Sequence, residues 1–148
     1  MAVGGRAMEI SGRAEQGLRL VVALAAHHST GAHVVKREEL GRTHGLSKAA
    51  MDEVLRGLRT RGLLHSHRGR DGGWSLARAP ERITVADVIA AIDGPLCRVA
   101  GVEHRPGPVA SDPLERLWLA LAASMTDVLD SVSVAELAAS MTRIEDVR

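Results

Sequence analysis

The chain has 148 residues, a mass of 15.7 kDa and a formal net charge of +1, which is one domain's worth and short for an enzyme with separate substrate and cofactor lobes. It contains no Phe or Tyr and only Trp74 and Trp118, so aliphatic side chains must fill the core, a composition that favours packed helices. One cysteine, Cys97, excludes an intrachain disulfide, and no apolar run reaches the roughly 18 residues of a membrane helix, so we expect a cytoplasmic protein.

The charge is unevenly distributed along the chain. Residues 36–70 hold nine Lys or Arg against four Asp or Glu, whereas residues 112–148 hold three against seven. A basic middle and an acidic end are typical of a protein with one polyanion-binding face.

The first element predicted is a helix that follows a flexible leader over residues 1–9. Ser11 is a good N-cap, and the apolar pattern runs to about His28. Its apolar residues fall on two sides of the helix, which predicts burial on two sides, one of them against the following motif and the other against a further surface such as a partner subunit. Residues 33–35 are predicted as a short strand that pairs with a later hairpin.

Two helices joined at Gly45 come next, over about residues 36–44 and 47–61. Ser47 is the predicted N-cap of the second helix and Gly62 its closing residue. One side of that helix is apolar, with Met51, Val54, Leu55 and Leu58. The opposite side carries Lys48, Ala49, Asp52, Arg56 and Arg59. This pattern indicates a helix that packs on one side and meets a polyanion on the other.

A basic hairpin is predicted directly after this helix. Residues 63–67 and 74–78 read as strands, and residues 68–73 form a glycine-rich tip that carries Arg68 and Arg70. A helix pair followed by a basic hairpin is the layout of a winged helix-turn-helix. The alternative is an ordinary helix-hairpin unit whose arginines are solvated.

The last third of the chain alternates helices with a long connection. Thr84 and Asp87 predict a capping box that opens a short helix, and residues 96–112 are rich in Gly and Pro and read as a loop. Pro113 suits the first position of a long helix. Its apolar stripe extends over about five turns, which is more than a domain of this size covers alone, so a second subunit is expected to cover it. Ser133 predicts the cap of a last short helix, and residues 141–148 are predicted as a tail.

An ordered series of residues along the middle of the chain carries a family resemblance. The series comprises residues 45–47, 58–59 and 62–63, Arg68 and Gly69 followed by Gly72, Gly73 and Trp74, residues 76–78, and residues 83–89 with Asp93, Gly94 and Pro95. It resembles the bacterial Rrf-type winged-helix transcription regulators, a family that includes IscR, NsrR and CymR. The likeness extends from about residue 8 to residue 139. It implies a mainly α fold with a small β-wing, a winged helix-turn-helix and a long dimerisation helix.

The resemblance also implies roles for particular residues. Ser47, Ala49 and Asp52 occupy the positions that read bases in the major groove, while the wing residues Arg68 and Arg70 approach the minor groove. Phosphate contacts are expected from Lys36, Lys48, Arg56 and Arg59. The dimer interface is expected to include Leu114, Leu117, Trp118, Leu121, Met125 and Val128.

The loop over residues 96–112 supplies three cysteines in cluster-binding relatives, but here only Cys97 is present. Glu15, His27, His28 and His104 offer only unconventional replacements, so we expect no iron-sulfur cluster. Cys97 as a thiol sensor and Cys97 without a signalling role both stay open. His65 and His67 share one strand face and could bind a metal, or could be ordinary surface residues of the wing.

No enzyme constellation is present: there is no phosphate-binding glycine loop, nucleophile elbow or paired-cysteine zinc spacing. We therefore predict a homodimeric regulator that binds a near-palindromic operator in double-stranded DNA, most simply as a repressor. Residues 10–95 would form the DNA-binding domain, residues 96–112 a sensor-type loop and residues 113–140 the dimerisation helices. A winged-helix module that binds a protein instead of DNA is the alternative.

Overall fold

A computed structural model describes residues 9–31, 33–95, 98–99, 102–103 and 112–145. Within these ranges the chain forms six α-helices and two small antiparallel sheets. The helices are α1 (Gly12–Ser29), α2 (Arg37–His44), α3 (Lys48–Thr60), α4 (Val85–Asp93), α5 (Pro113–Asp130) and α6 (Val134–Glu145). The strands are β1 (Leu64–His67), β2 (Gly73–Leu76), β3 (Arg98–Val99) and β4 (Val102–Glu103), and a 3-10 turn covers Pro80–Arg82. No helix in the described part of the chain has the length and apolar character needed to cross a bilayer.

Helix α1 lies at the centre of the molecule. It packs against α3 and α4 and, on its other side, against α6, and Leu20, Val21 and Leu24 are buried along it. Ser11 caps its first turn by accepting a hydrogen bond from the Ala14 N–H at 3.1 Å. Both predicted apolar sides are therefore covered within one chain, and the partner subunit expected on the second side is not required, because α6 occupies that place.

Helices α2 and α3 form the predicted helix-turn-helix. Gly45 adopts φ +60°, a left-handed conformation that glycine reaches without the strain imposed by a Cβ atom, and it ends α2. The Ser47 hydroxyl then accepts from the Ala50 N–H at 3.2 Å and starts α3. The predicted apolar face of α3 is buried, namely Met51, Val54, Leu55 and Leu58. Because this face is fixed in the core, the opposite face of α3 is presented outward.

Strands β1 and β2 form the predicted wing. The hairpin begins one residue later and ends two residues earlier than predicted. Their register places Leu64 opposite Leu76 and Ser66 opposite Trp74. The wing is fixed to the body by a pair of backbone hydrogen bonds between Val35 and Trp74, at 2.9 and 2.8 Å. Of the strand predicted before α2, Val35 alone pairs with the wing among the described residues.

The junction between α5 and α6 is hydrogen-bonded to the segment that precedes α4. The Val85 N–H donates to the Val132 carbonyl at 3.0 Å, and the Val134 N–H donates to the Ile83 carbonyl at 2.8 Å. Thr84 forms the predicted capping box with Asp87, so α4 begins at this same junction. The start of α4 and the start of α6 therefore hold each other in place.

The prediction that residues 96–112 form a loop is wrong for part of this segment. β3 and β4 pair within it, with Val99 opposite Val102. Valine favours extended backbone, and two short valine-containing segments can pair without any long periodic pattern. A run of two residues is too short for periodicity to reveal it.

The predicted tail over residues 141–148 is also wrong for its first part, because α6 continues to Glu145. Val134 and Ala138 of α6 are buried in the core beside α1, and no helix-breaking residue follows them. Packing against α1 therefore supports this helix beyond the point where its sequence pattern weakens. This face of α6 belongs to the core of its own subunit.

Ser133 caps α6 as predicted. Its N–H and hydroxyl donate to the Glu136 carboxylate at 2.8 and 2.9 Å, and its hydroxyl accepts from the Glu136 N–H at 3.2 Å. The backbone hydrogen bond from Ser133, followed by the hydroxyl hydrogen bond, lowers the pKa of Glu136. These hydrogen bonds favour the ionised carboxylate, and the stability that they contribute is fully present above the ordinary pKa of the group and is lost as the pH falls from there through the lowered pKa.

A first prediction concerns Asp93, which connects the end of α4 to the start of α1. Its carboxylate accepts from the Ser11 N–H at 2.8 Å and from the Ser11 hydroxyl. Asp93→Ala removes both acceptors, and we expect the free energy of unfolding in urea to fall by about 1–3 kcal/mol. The control Asp71→Ala, at the exposed wing tip, should change it by less than about 0.5 kcal/mol. Equal unfolding midpoints for the two variants would contradict the role of Asp93.

Candidate nucleic-acid interface

The exposed face of α3 is the one that the sequence predicted. All of the following side chains are exposed: Lys48, Ala49, Asp52, Arg56 and Arg59. Because α3 is anchored along its whole apolar side, these residues form one outward strip on a rigid element. A rigid helix of this kind can enter the major groove, which is about 12 Å wide.

Asp52 is paired with Arg37, a residue that sequence reasoning missed. The Arg37 guanidinium lies 2.5 Å from the Asp52 carboxylate and also donates to the Lys48 carbonyl at 3.2 Å. One arginine of α2 thus joins two positions in the first turns of α3. The pair fixes the orientation of Asp52 and neutralises part of its charge. Nothing in the local sequence distinguishes Arg37 from the other basic residues around it.

Ser47 and Ala49 stand at the exposed start of α3. The Ser47 oxygen accepts the capping hydrogen bond, while its hydroxyl proton can still be donated, since a hydroxyl has one donor and two acceptor positions. Ala49 presents only a methyl group, which suits apolar contact such as that with a thymine methyl. These positions leave room for a close approach of the helix to base edges.

The wing is connected to helix α3 by a side-chain contact. The Arg59 guanidinium donates to the Ser66 hydroxyl of β1 at 3.3 Å. Arg68 and Arg70 are exposed at the tip, where the Gly72 N–H donates to the Gly69 carbonyl at 3.0 Å and closes the turn. Helix α3 and the arginine-tipped turn therefore form one basic surface, and Lys36 adds an exposed charge at the start of α2.

The predicted histidine pair of the wing does not form a larger group of metal-binding residues. His67 contacts the Ser75 hydroxyl across the wing, with 2.8 Å between the ring nitrogen and the oxygen. No group of three or more His, Cys, Asp or Glu side chains with metal-binding geometry occurs among the described residues. The expectation that His65 and His67 are surface residues of the wing and hold no metal stays an untested prediction.

The stripe predicted on α5 is partly exposed and partly used within the subunit. Leu114, Leu117 and Val128 are 59%, 55% and 65% exposed. Trp118, Leu121 and Met125 are half-buried. The end of the stripe, by contrast, packs in a small cluster of its own chain, through Leu129 and Val132 against Ala14, Val85 and Ile89. The apolar surface left open thus extends along α5 from Leu114 to Val128.

Cys97 lies outside the described residues. The donor set can nevertheless be judged from the chain as a whole, which contains one cysteine. Iron-sulfur clusters are held by several thiolates, usually four. One thiolate per subunit does not fit a conventional cluster.

Comparisons with known proteins show which class of protein this chain is similar to. Residues 10–140 match the model of the Rrf2 family, which is described as an iron-dependent transcriptional regulator. The protein Rv1287 of Mycobacterium tuberculosis is 38% identical over 133 residues, which cover 88% of this chain and 81% of that protein. The transcriptional regulator CymR of Bacillus subtilis is 32% identical over 132 residues, covering 88% and 90%.

Solved structures show the same fold. The structure of CymR, the global cysteine regulator of B. subtilis, superposes with a TM-score of 0.71 at 30% identity and covers 89% of this chain and 97% of that one. The IscR structure from T. potens gives a TM-score of 0.67 at 26% identity and covers 95% and 88%. With the matched region spanning the helix-turn-helix, the wing and both C-terminal helices, the chain belongs to the Rrf2 family of DNA-binding winged-helix transcriptional regulators.

Proposed function

We propose that this regulator is a repressor that binds a near-palindromic operator as a homodimer. The observation that carries the proposal is the single basic surface made by the outward strip of α3 and the arginine-tipped wing beside it. Each subunit would place α3 in the major groove of one half-site and the wing tip over the adjacent minor groove. A dimer bound to such an operator would compete with the transcription machinery for the same DNA.

Contacts to phosphate and to bases are divided among the residues of this surface. Lys36, Lys48, Arg56 and Arg59 are exposed cations around α3, and we assign them to phosphates, which position the protein without reading sequence. Ser47, Ala49 and Asp52 are assigned to base edges. Asp52 can accept a hydrogen bond, for example from a cytosine amino group, while Arg37 holds its other side.

The homodimer is supported by the open apolar surface of α5. Three large apolar residues more than half exposed on one helix are unusual for a surface in permanent contact with water. In a dimer with a two-fold axis beside α5, this apolar surface of one subunit would cover the same surface of the other. It would also present two copies of α3 to one duplex, which is why a near-palindromic operator follows.

The regulator is proposed to act without an iron-sulfur cluster, and in the cytoplasm. The cluster is left out because the chain supplies one thiolate, and mixed ligands are weaker than a set of thiolates for cluster iron. A thiol switch at Cys97 is the competing arrangement.

The test of this function is selection of bound duplexes from a random pool by the purified protein. We expect a near-palindromic sequence whose binding falls steeply with added salt. If no sequence is enriched, and a single protein is retained instead at high salt, the winged helix is a protein-interaction module and the proposal is wrong.

The wing gives the second prediction. A narrow minor groove concentrates negative potential, so Arg68→Ala should reduce operator binding by about 1–3 kcal/mol. Titrations of a labelled operator at several salt concentrations measure the loss. The matched control is Arg143→Ala on α6, outside this surface, which should bind like the parent. If the Arg68 variant keeps both the affinity and the salt slope of the parent, the wing does not contact DNA.

The third prediction concerns the dimer. Leu117 is 55% exposed in the subunit, so Leu117→Asp should leave the subunit folded but place a charge in the apolar interface. Light scattering should give the mass of one subunit for this variant and of two for the parent. The control Arg116→Asp places the same carboxylate at an exposed position about 100° from Leu117 around α5, away from the apolar stripe, and should stay dimeric. A parent mass of one subunit would contradict the dimer directly.

The fourth prediction concerns Cys97. Anaerobically purified protein should be colourless, and Cys97→Ser should bind the operator like the parent under reducing conditions, because no cluster is needed to form the DNA-binding surface. Stoichiometric iron and acid-labile sulfide in the purified protein would refute this. If peroxide releases the parent from DNA but not the Cys97→Ser variant, the thiol-sensor alternative is correct.

A further inference from the structure

A basic cleft lies on the side of α3 that faces away from the wing. Its volume is about 320 Å³, and it is bounded by the start of α1, the second half of α3 and the end of α4. Its lining includes Arg13, Glu53, Arg56, Thr60, Arg61 and Ile92. Neither Arg13 nor Arg61 belongs to the surface that the sequence predicted to contact DNA.

The charges in this cleft do not cancel. Arg13 forms an ion pair with Glu53, whereas the side chains of Arg56 and Arg61 have no hydrogen-bond or ion-pair partner in the described part of the chain. All four residues are exposed. Three guanidinium groups against one carboxylate leave two positive charges in a concave site, which attracts an anion.

The position of the cleft around α3 points to the anion. Successive residues of an α-helix are about 100° apart, so Glu53 and Arg59 lie about 120° apart around α3, with Arg56 between them. Arg59 reaches Ser66 of the wing, and Glu53 reaches Arg13 of α1. The outward strip of α3 is therefore flanked by the wing on one side and by the cleft on the other.

A helix in the major groove has a phosphate backbone along each side, since the groove is bounded by the two strands. The wing and Arg59 lie toward one of these strands. We propose that the cleft binds a phosphate of the opposite strand, with Arg13 and Arg61 as contacts and Arg56 at its edge toward the bases. This inference rests on the proposed docking of α3 in the major groove. It assigns α1, the central helix of the fold, a direct part in positioning the DNA.

In this arrangement Glu53 orients Arg13, but its negative charge also repels the phosphate. Its carboxylate holds the guanidinium beside the cleft, but it also places a negative charge near the phosphate. Removing the arginine and removing the carboxylate should therefore affect DNA in opposite directions. If Arg13 and Glu53 only stabilised the fold, both removals would act in the same direction, through stability.

The test compares Arg13→Ala, Arg61→Ala and Glu53→Gln with the parent on the selected duplex and on a scrambled duplex over a range of salt. Each arginine variant should weaken both duplexes by the same factor and reduce the slope of log affinity against log salt by about one. Glu53→Gln should bind both duplexes at least as tightly as the parent. Arg143→Ala serves as the control with an unchanged slope, and thermal unfolding shows whether each variant is folded.

A neutral methylphosphonate placed at successive positions of the selected duplex then identifies the phosphate. One position on the strand opposite the wing should weaken the parent but not Arg61→Ala, because both changes remove the same contact. Three results would overturn the proposed phosphate site while leaving specific DNA binding intact. They are losses from Arg61→Ala and from the methylphosphonate that add at every position, unchanged salt slopes for both arginine variants, and weaker binding by Glu53→Gln. A parent that enriches no duplex at all would overturn the proposed function and the cleft together.

Discussion

The close packing of α1 against α3 and α4 is the constraint on which the rest of the structure depends. Gly17 permits it: a Cβ atom at this position would lie 2.1 Å from the end of the Ile92 side chain and 3.2 Å from a methyl of Val54. With no side chain in the way, α1 lies directly on the inner side of α3. Leu20 and Leu24 continue the same contact into the core, where a Leu-to-Ala change typically costs about 2–5 kcal/mol. The orientation of α3, and with it the DNA-binding surface, follows from this contact.

The same packing explains why the interface is rigid before any DNA is bound. Helix α3 is held by α1 on its inner side, by Arg37 of α2 at its start and by the contact between Arg59 and Ser66 near its end. The wing is in turn fixed through Val35 and Trp74. A surface held at several points loses little conformational freedom on binding, so its charges act on DNA from fixed positions.

The helices could be predicted because their signals are local. The caps at Ser11, Ser47 and Thr84 and the glycine turn at Gly45 each depend on a few neighbouring residues, and the structure confirms all of them. The winged-helix fold followed from their order and from the basic hairpin. The family resemblance pointed to the same fold, and the comparisons confirm both.

The partners of charged residues could not be predicted in this way. Arg13 and Glu53 are 40 positions apart, and Arg37 and Asp52 belong to different helices, so only the packed arrangement brings them together. For the same reason, the docking of α6 on α1 gave no local signal, and the helix continued where its sequence pattern indicated a tail. The residues of the candidate site were thus foreseen as exposed positions of α3 and the wing. The arginines supplied by α1 and α2 were not.

The central claim is that α3 lies in the major groove with the protein in contact with both bordering strands. Hydroxyl-radical footprinting on the selected duplex tests it most directly. We expect two half-sites related by a two-fold axis, each with protection of both strands beside one major groove and with further protection over the minor groove next to it. If protection is confined to one strand in each half-site, or if a single unpaired half-site is seen, this docking of α3 is wrong.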